Sequence, residues 1–137
     1  MKVLIVLTSF FWSGMIFAIS FIEAPLKFKA PLVTEKIALG IGQLVFHATN
    51  KVEWILSAII VCFIFFLQPS LKSLLFFLIP ILILSIQTVI LYSVLDVRVK
   101  EILLGNTVED SMFHLWYIIL EILKLIALIS SSIILIK

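Results

Sequence analysis

One face of the last hydrophobic segment carries four side chains that can donate, accept or hold a proton. The segment from 112 to 136 is apolar except at a few positions, among them His114, Tyr117, Glu121 and Lys124. Spacings of three and four residues place these four on one stripe of an α-helix. Charged groups in the middle of a membrane helix cost roughly 2.5–3.5 kcal/mol each on insertion scales, so the stripe predicts a partner or a role for them.

The composition indicates a membrane protein. Hydrophobic residues make up 64% of the 137 positions and charged residues 13%, whereas soluble domains average about 45–50% and about 25%. The formal charge of +2 is small and dispersed, which argues against a nucleic-acid partner and leaves the lipid bilayer as the expected one. Cys62 is the only cysteine, and this excludes disulfide frameworks and cysteine-rich metal sites.

Four segments are long and apolar enough to cross about 30 Å of hydrocarbon. They predict an all-α fold, an antiparallel bundle of four transmembrane helices forming one domain over residues 1–137. The predicted helices cover residues 3–22, 37–68, 73–104 and 109–136. Pro80 falls inside the third, where a neighbouring helix can satisfy the carbonyl that a proline leaves without a donor.

Four crossings place both termini and the Lys72 turn on one side of the membrane. The connections after the first and third helices lie on the other, which we call the loop side. It carries six lysines and arginines against three on the terminal side, and the positive-inside rule would place it in the cytoplasm. If Lys27 and Lys51 belong to a buried site the count is four against three, so the orientation stays open.

Polar stripes on the other three helices point to the same interior and crowd toward the loop side. They predict a one-sided pocket whose carboxylates and His114 bind a cation or relay protons, with Lys124 keeping Glu121 ionised. The predicted pocket residues are Glu23, Lys27, Asn50, Glu53, His114, Tyr117, Glu121 and Lys124.

A metal site is a weaker hypothesis from the same residues. Imidazole and carboxylate groups bind zinc, iron and manganese, and the candidate ligands are His47, His114, Glu53 and Glu121. The Glu-x-x-His motif of ferritin-like bundles is absent, because no glutamate precedes either histidine by three residues. The sequence therefore names no cofactor.

Structural explanations of these residues remain open. Glu121 and Lys124 can neutralise each other as an ion pair that fixes helix packing, and Tyr117 with Trp116 can form an interfacial aromatic belt. The polar stripes can also form an interface with a second copy or with a membrane partner subunit. Trp12 and the twelve phenylalanines are expected to face lipid or to pack between helices.

Short motifs along most of the chain resemble one family of small membrane proteins. They are Gly14, Phe17, the stretch 23–28 (Glu-Ala-Pro-Leu-Lys-Phe), Gly42, Phe46, Leu95, Arg98, Gly105 and the stretch 114–117 (His-Leu-Trp-Tyr). The chain resembles a four-span bacterial family of unknown function that is related to eukaryotic transmembrane protein 205. The resemblance implies a four-helix bundle in a bacterial inner membrane and assigns no chemistry.

A second pattern favours an enzyme. The stretch 29–31 (Lys-Ala-Pro) precedes a helix with His47, Asn50 and Glu53, and this is similar to the membrane-associated eicosanoid and glutathione metabolism proteins. The resemblance implies a membrane-embedded transferase acting on a thiol or lipid-like substrate. That family holds glutathione with several arginines, whereas Arg98 is the single arginine here. Whether the protein is an enzyme therefore stays open.

Overall fold

The computed structural model describes residues 1–108 and 112–136. Within them the chain forms four long helices and no strand. They are α1 (Lys2–Lys27), α2 (Glu35–Leu67), α3 (Leu71–Leu104) and α4 (Phe113–Ile136). Each is long and apolar enough to span a bilayer, which confirms the predicted all-α, four-helix membrane fold.

Two of the helices are longer than a bilayer requires. At 1.5 Å per residue, the 33 residues of α2 and the 34 residues of α3 each extend about 50 Å, against about 30 Å of hydrocarbon. The first residues of α2 and the last of α3 both lie on the loop side. These two ends contribute to the walls of a loop-side cavity, which they line through Leu39 of α2 and Val99 of α3 among others.

Local signals fix the helix ends. Thr34 accepts a hydrogen bond from the Ile37 amide at 3.3 Å and caps α2, as serine and threonine commonly do. Gly105 ends α3 with a φ of +93°, a conformation that glycine adopts without strain. The sequence predicts α4 from residue 109, and positions 109–111 lie outside the described residues; the described helix begins at Phe113.

α1 runs five residues past its predicted end. The prediction stopped at residue 22 because Glu23 and Pro25 resemble the start of a loop. Instead, a wider π-helical turn over Ala18–Glu23 leads into a final α-helical turn, Ala24–Lys27. A second π-helical turn, Gln87–Leu91, interrupts α3. Such turns are rare and occur frequently at functional sites.

The bundle buries a narrow inner stripe and exposes an apolar outer surface. Ile5, Ile60, Phe77 and Leu128 pack in the terminal-side half of the core and are at most 1% exposed. The outer surface consists of large apolar side chains, among them Phe11, Phe65, Leu82 and Val89. Exposed apolar area on this scale is unusual in soluble monomers and fits contact with lipid.

The carbonyl freed by Pro80 has a donor on another helix. Pro80 lacks the amide that would bond to Phe76, four residues earlier. Ser131 of α4 places its Oγ 3.0 Å from the Phe76 carbonyl oxygen. The same hydroxyl lies 2.5 Å from the Ala127 carbonyl oxygen of its own helix, so its single proton is shared between two acceptors. The contact with Phe76 joins α3 to α4 in the terminal-side half and is of the kind expected where a neighbouring helix compensates for a proline.

Candidate functional site

The centre of the bundle holds a lysine that no solvent reaches. The Lys124 side chain is 0% exposed, and its Nζ lies 2.6 Å from Glu53 Oε1 and 2.9 Å from Glu121 Oε1. It also donates to Gln87 Oε1 at 2.8 Å. The three donors of the ammonium therefore have three acceptors, one on each of α2, α3 and α4.

The two carboxylates have further donors. Trp12 of α1 donates its indole N–H to Glu53 Oε1 at 2.9 Å. Gln87 donates to Glu121 Oε1 at 2.8 Å. We call Trp12, Glu53, Gln87, Glu121 and Lys124 the charge cluster. Every buried side-chain nitrogen and oxygen in the described part of the chain has a hydrogen-bond partner, so the cluster is a complete network supplied by all four helices.

The charges of the cluster do not balance. Two carboxylates face one ammonium, so the fully ionised cluster carries a net charge of −1 while its three charged side chains are at most 3% exposed. Burying an uncompensated charge is expensive. One additional proton, held on Glu53 or Glu121, would make the cluster neutral.

Two members of the cluster were not predicted. Trp12 was expected to face lipid or to pack, but it is wholly buried and is a hydrogen-bond donor. Gln87 was not singled out, although it follows Leu84 by three residues and precedes Leu91 by four, and both leucines are buried. The sequence signal for Gln87 is a polar residue at a position where the helical period places apolar residues.

A cavity of about 490 Å³ opens at the loop side, between the ends of all four helices. Its walls are mainly apolar and include Phe21, Phe28 and Phe46. The polar side chains that line it are Lys27, Gln43, His47, Tyr92, Asp96 and His114, with Ser20 at the edge. The volume falls within the range of about 300–1,000 Å³ that is typical of small-molecule sites.

On one wall of the cavity, Asp96 has partners for both of its carboxylate oxygens. It accepts hydrogen bonds from Gln43 Nε2 at 2.6 Å and contacts His47 Nε2 at 2.9 Å through the same oxygen. Its other oxygen lies 2.7 Å from the Lys100 ammonium. The His47 ring meets the Tyr92 ring edge-on, with centroids 4.9 Å apart. On this wall the charge of the Asp96 carboxylate is therefore balanced by Lys100. Contacts with Asp96 and Tyr92 hold the His47 imidazole in place.

Lys27 reaches the cavity from the opposite wall. Its Nζ lies 3.3 Å from Glu23 Oε2, a long distance for an ion pair. A Cβ atom at Gly42 would lie 2.8 Å from the same Nζ. Gly42 thus leaves the space that the ammonium occupies, and this explains a glycine within α2.

A small cavity of about 60 Å³ is lined by residues from both regions. Its lining includes Glu121 and Tyr117 at the inner end and Glu23 and His114 at the outer end. Ser20 lines both cavities and places its Oγ 3.4 Å from Glu121 Oε2. The small cavity is polar in part and large enough to hold water.

The structure divides the predicted pocket into three places. Glu53, Glu121 and Lys124 meet in the charge cluster, and Tyr117 lies one helical turn before Glu121, packed on Phe46. Glu23, Lys27 and His114 lie by the two cavities. Asn50 is elsewhere, since it donates to Thr88 at 2.8 Å together with Trp54 at 3.1 Å.

The four metal candidates do not meet at one point. His47 contacts Asp96 and His114 lines both cavities, while Glu53 and Glu121 contact Lys124. Among residues 1–108 and 112–136, no group of three or more histidine, cysteine, aspartate or glutamate side chains is placed to hold a metal ion.

Fold and site together define a small integral membrane protein with a buried charge cluster below a loop-side cavity. No protein-family model matches the chain, and searches of curated proteins and of solved structures also find no match. The two family resemblances therefore stay predictions. Of the residues behind the second, His47, Asn50 and Glu53 contact three different partners.

Proposed function

We propose that this is a proton-handling binding protein of a bacterial inner membrane. In this proposal the charge cluster takes up one proton and releases it toward the loop side. The observation that carries the proposal is the sharing of one wholly buried ammonium by Glu53 and Glu121. The four spanning helices support the membrane location, and the bacterial inner membrane rests on the first family resemblance.

A proton suits this cluster better than a metal ion. The Lys124 ammonium already occupies the position between the two carboxylates that a metal ion would need. Trp12 and Gln87 add N–H donors directed at the carboxylates, and such donors repel a cation. A proton needs no coordination shell and would remove the charge imbalance of the cluster.

The surroundings of the cluster favour exchange with one side only. Toward the loop side lie Ser20, the small cavity and His114. Toward the terminal side, the described buried polar groups are serine hydroxyls, and Ser9, Ser13 and Ser132 bond to carbonyls of their own helices. An apolar core surrounds them. This asymmetry favours proton binding that is coupled to an event on the loop side. It argues against a proton channel, which would need a polar path to both sides.

Infrared difference spectroscopy of the protein in lipid nanodiscs tests the proposal. A protonated carboxyl has a C=O stretching band that a carboxylate lacks. We expect this band to be present at acidic pH and to disappear reversibly at alkaline pH. Glu121→Gln and Glu53→Gln should each remove or shift it. The matched control is Glu35→Gln, which alters an exposed glutamate in the first turn of α2 and should leave that band in place.

The absence of a pH-dependent carboxyl band would contradict the proposal. If no carboxyl band assignable to Glu53 or Glu121 changes over the pH range in which the protein stays folded, the cluster is a structural ion network and the proposal is wrong. The proposal also fails if Glu121→Gln changes neither the infrared spectrum nor the free energy of unfolding.

A further inference from the structure

The loop-side cavity has the form of a site for a molecule with an apolar body and one polar end. Its walls are built by Phe21, Phe28 and Phe46 and by aliphatic side chains of all four helices. A volume of about 490 Å³ is enough for a ligand of drug-like size. Most of the binding energy in such a site comes from apolar area removed from water.

The ammonium of Lys27 is the cationic group that this cavity offers to a ligand. Of the ionisable side chains that line it, Asp96 is neutralised by Lys100 at 2.7 Å and receives the Gln43 amide at 2.6 Å. Among the described residues, Lys27 has one hydrogen-bond acceptor, Glu23, at 3.3 Å, so an ammonium with three N–H donors retains capacity for a ligand. Its side chain is only 11% exposed, and partial burial strengthens its attraction for an anion.

We propose that the loop-side cavity binds an amphipathic carboxylate, with the carboxylate on Lys27 and the apolar chain between the phenylalanines. A carboxylate is a single negative charge with two acceptor oxygens, which matches one ammonium and the neighbouring His114 imidazole. A phosphate group carries a charge of about −1.5 to −2 and three acceptor oxygens, which is more than one ammonium balances, and Lys27 is the only lysine or arginine among the described residues that line this cavity. A cationic head group would be repelled by the ammonium of Lys27.

Gly42 supplies a specific test of this assignment. A Cβ atom there would approach Lys27 Nζ to 2.8 Å and Lys27 Cε to 3.2 Å, so Gly42→Ala must move the ammonium. Gly40 lies two residues earlier on the same helix, and a Cβ atom there meets nothing within 4 Å. The pair Gly42→Ala and Gly40→Ala therefore compares the same substitution with and without displacement of Lys27.

The experiment is equilibrium binding of radiolabelled laurate to the full chain in nanodiscs of zwitterionic lipid, with empty nanodiscs subtracted. We expect saturable binding near one laurate per chain, weakened about tenfold or more by Lys27→Met, since a hydrogen bond to a charged group contributes about that much. Gly42→Ala should weaken binding, whereas Gly40→Ala and Lys27→Arg should retain it. Dodecylamine should compete poorly.

Three outcomes would overturn the proposal. They are binding no greater than in empty nanodiscs, equal binding by Lys27→Met and the parent protein, and competition by dodecylamine as strong as that by unlabelled laurate. The proposal does not rest on proton exchange by the charge cluster. Glu121→Gln leaves Lys27 and Gly42 in place and should bind laurate normally, so the two proposals can fail separately.

Discussion

At the scale of single residues, Lys124 determines how the interior is organised. Its ammonium contacts a side chain from each of α2 and α3 and one on its own helix. Pairing within one helix, between Glu121 and Lys124, was visible in the sequence. The contact with Glu53 at 2.6 Å is what converts a local ion pair into a link between α2 and α4 and leaves two carboxylates for one cation.

Lys124→Met should therefore destabilise the protein strongly. The substitution keeps an unbranched, flexible side chain but leaves Glu53 and Glu121 buried without a cation, and breaking a buried ion pair in this way costs about 3–5 kcal/mol. Denaturant unfolding in lipid–detergent micelles would measure the loss. Adding Glu53→Gln and Glu121→Gln should recover much of it, because the triple variant buries no charge there.

The control for that measurement is Lys72→Met, at an exposed position in the first turn of α3. It should change the free energy of unfolding by less than about 0.5 kcal/mol. A loss below about 1 kcal/mol for Lys124→Met would contradict the central role of this lysine, since the cost of two unpaired buried carboxylates would then be missing.

At the scale of elements, two π-helical turns and one proline interrupt the regular α-helices, and each interruption lies beside a polar contact. The π-helical turns contain Ser20 on α1 and Gln87 on α3, and both side chains contact Glu121. The third interruption, Pro80, frees the Phe76 carbonyl that faces Ser131. Each irregularity in the backbone is thus matched by a polar contact to α4.

The proline contact can be measured by a double-mutant cycle. Ser131→Ala should cost about 1 kcal/mol, which is typical of a hydrogen bond between membrane helices. In a Pro80→Ala background the restored backbone amide can bond to Phe76, so the same substitution should cost less. Unfolding free energies of the four proteins give a coupling energy, expected to be about 0.5 kcal/mol or more.

Ser132→Ala is the matched control, because the hydroxyls of Ser132 and Ser131 both bond to carbonyls of their own helix, whereas Ser131 also contacts Phe76. It should show no coupling to Pro80→Ala. Equal costs of Ser131→Ala in both backgrounds would show that the serine does not compensate for the proline.

At the scale of the whole molecule, the connection between α1 and α2 and the turn between α2 and α3 lie on opposite sides of the polar interior. The turn before α3 lies on the terminal side, below an apolar core. The segment between α1 and α2 lies on the loop side, next to the cavity. A proton or ligand that reaches the cluster from the cavity therefore comes from the side that holds Lys29 and not from the side that holds Lys72.

Cysteine labelling tests this arrangement and fixes the orientation. In a Cys62→Ser background, Lys29→Cys and Lys72→Cys each place one thiol at an exposed position. A membrane-impermeant maleimide should label the two variants from opposite faces of sealed vesicles. Labelling of both from the same face would contradict an antiparallel bundle of four spanning helices.

Much of this protein follows from its sequence. Apolar segments of about 20 residues determine the four membrane helices, because only helices of that length satisfy the backbone inside lipid. Thr34 and Gly105 mark helix ends by chemistry that is local to a few residues. Glu121 and Lys124 were identified as partners since positions three apart on a helix are neighbours.

The site itself needed the tertiary structure. Periodicity within one helix shows which residues share a face, but it does not show the rotation or depth of one helix against another. Glu53 therefore meets Lys124 and Trp12, while Asn50, three residues earlier, meets Thr88. Local chemistry determined the helices and the stripe on α4; packing among four helices decided that two carboxylates would share one ammonium beneath an open cavity.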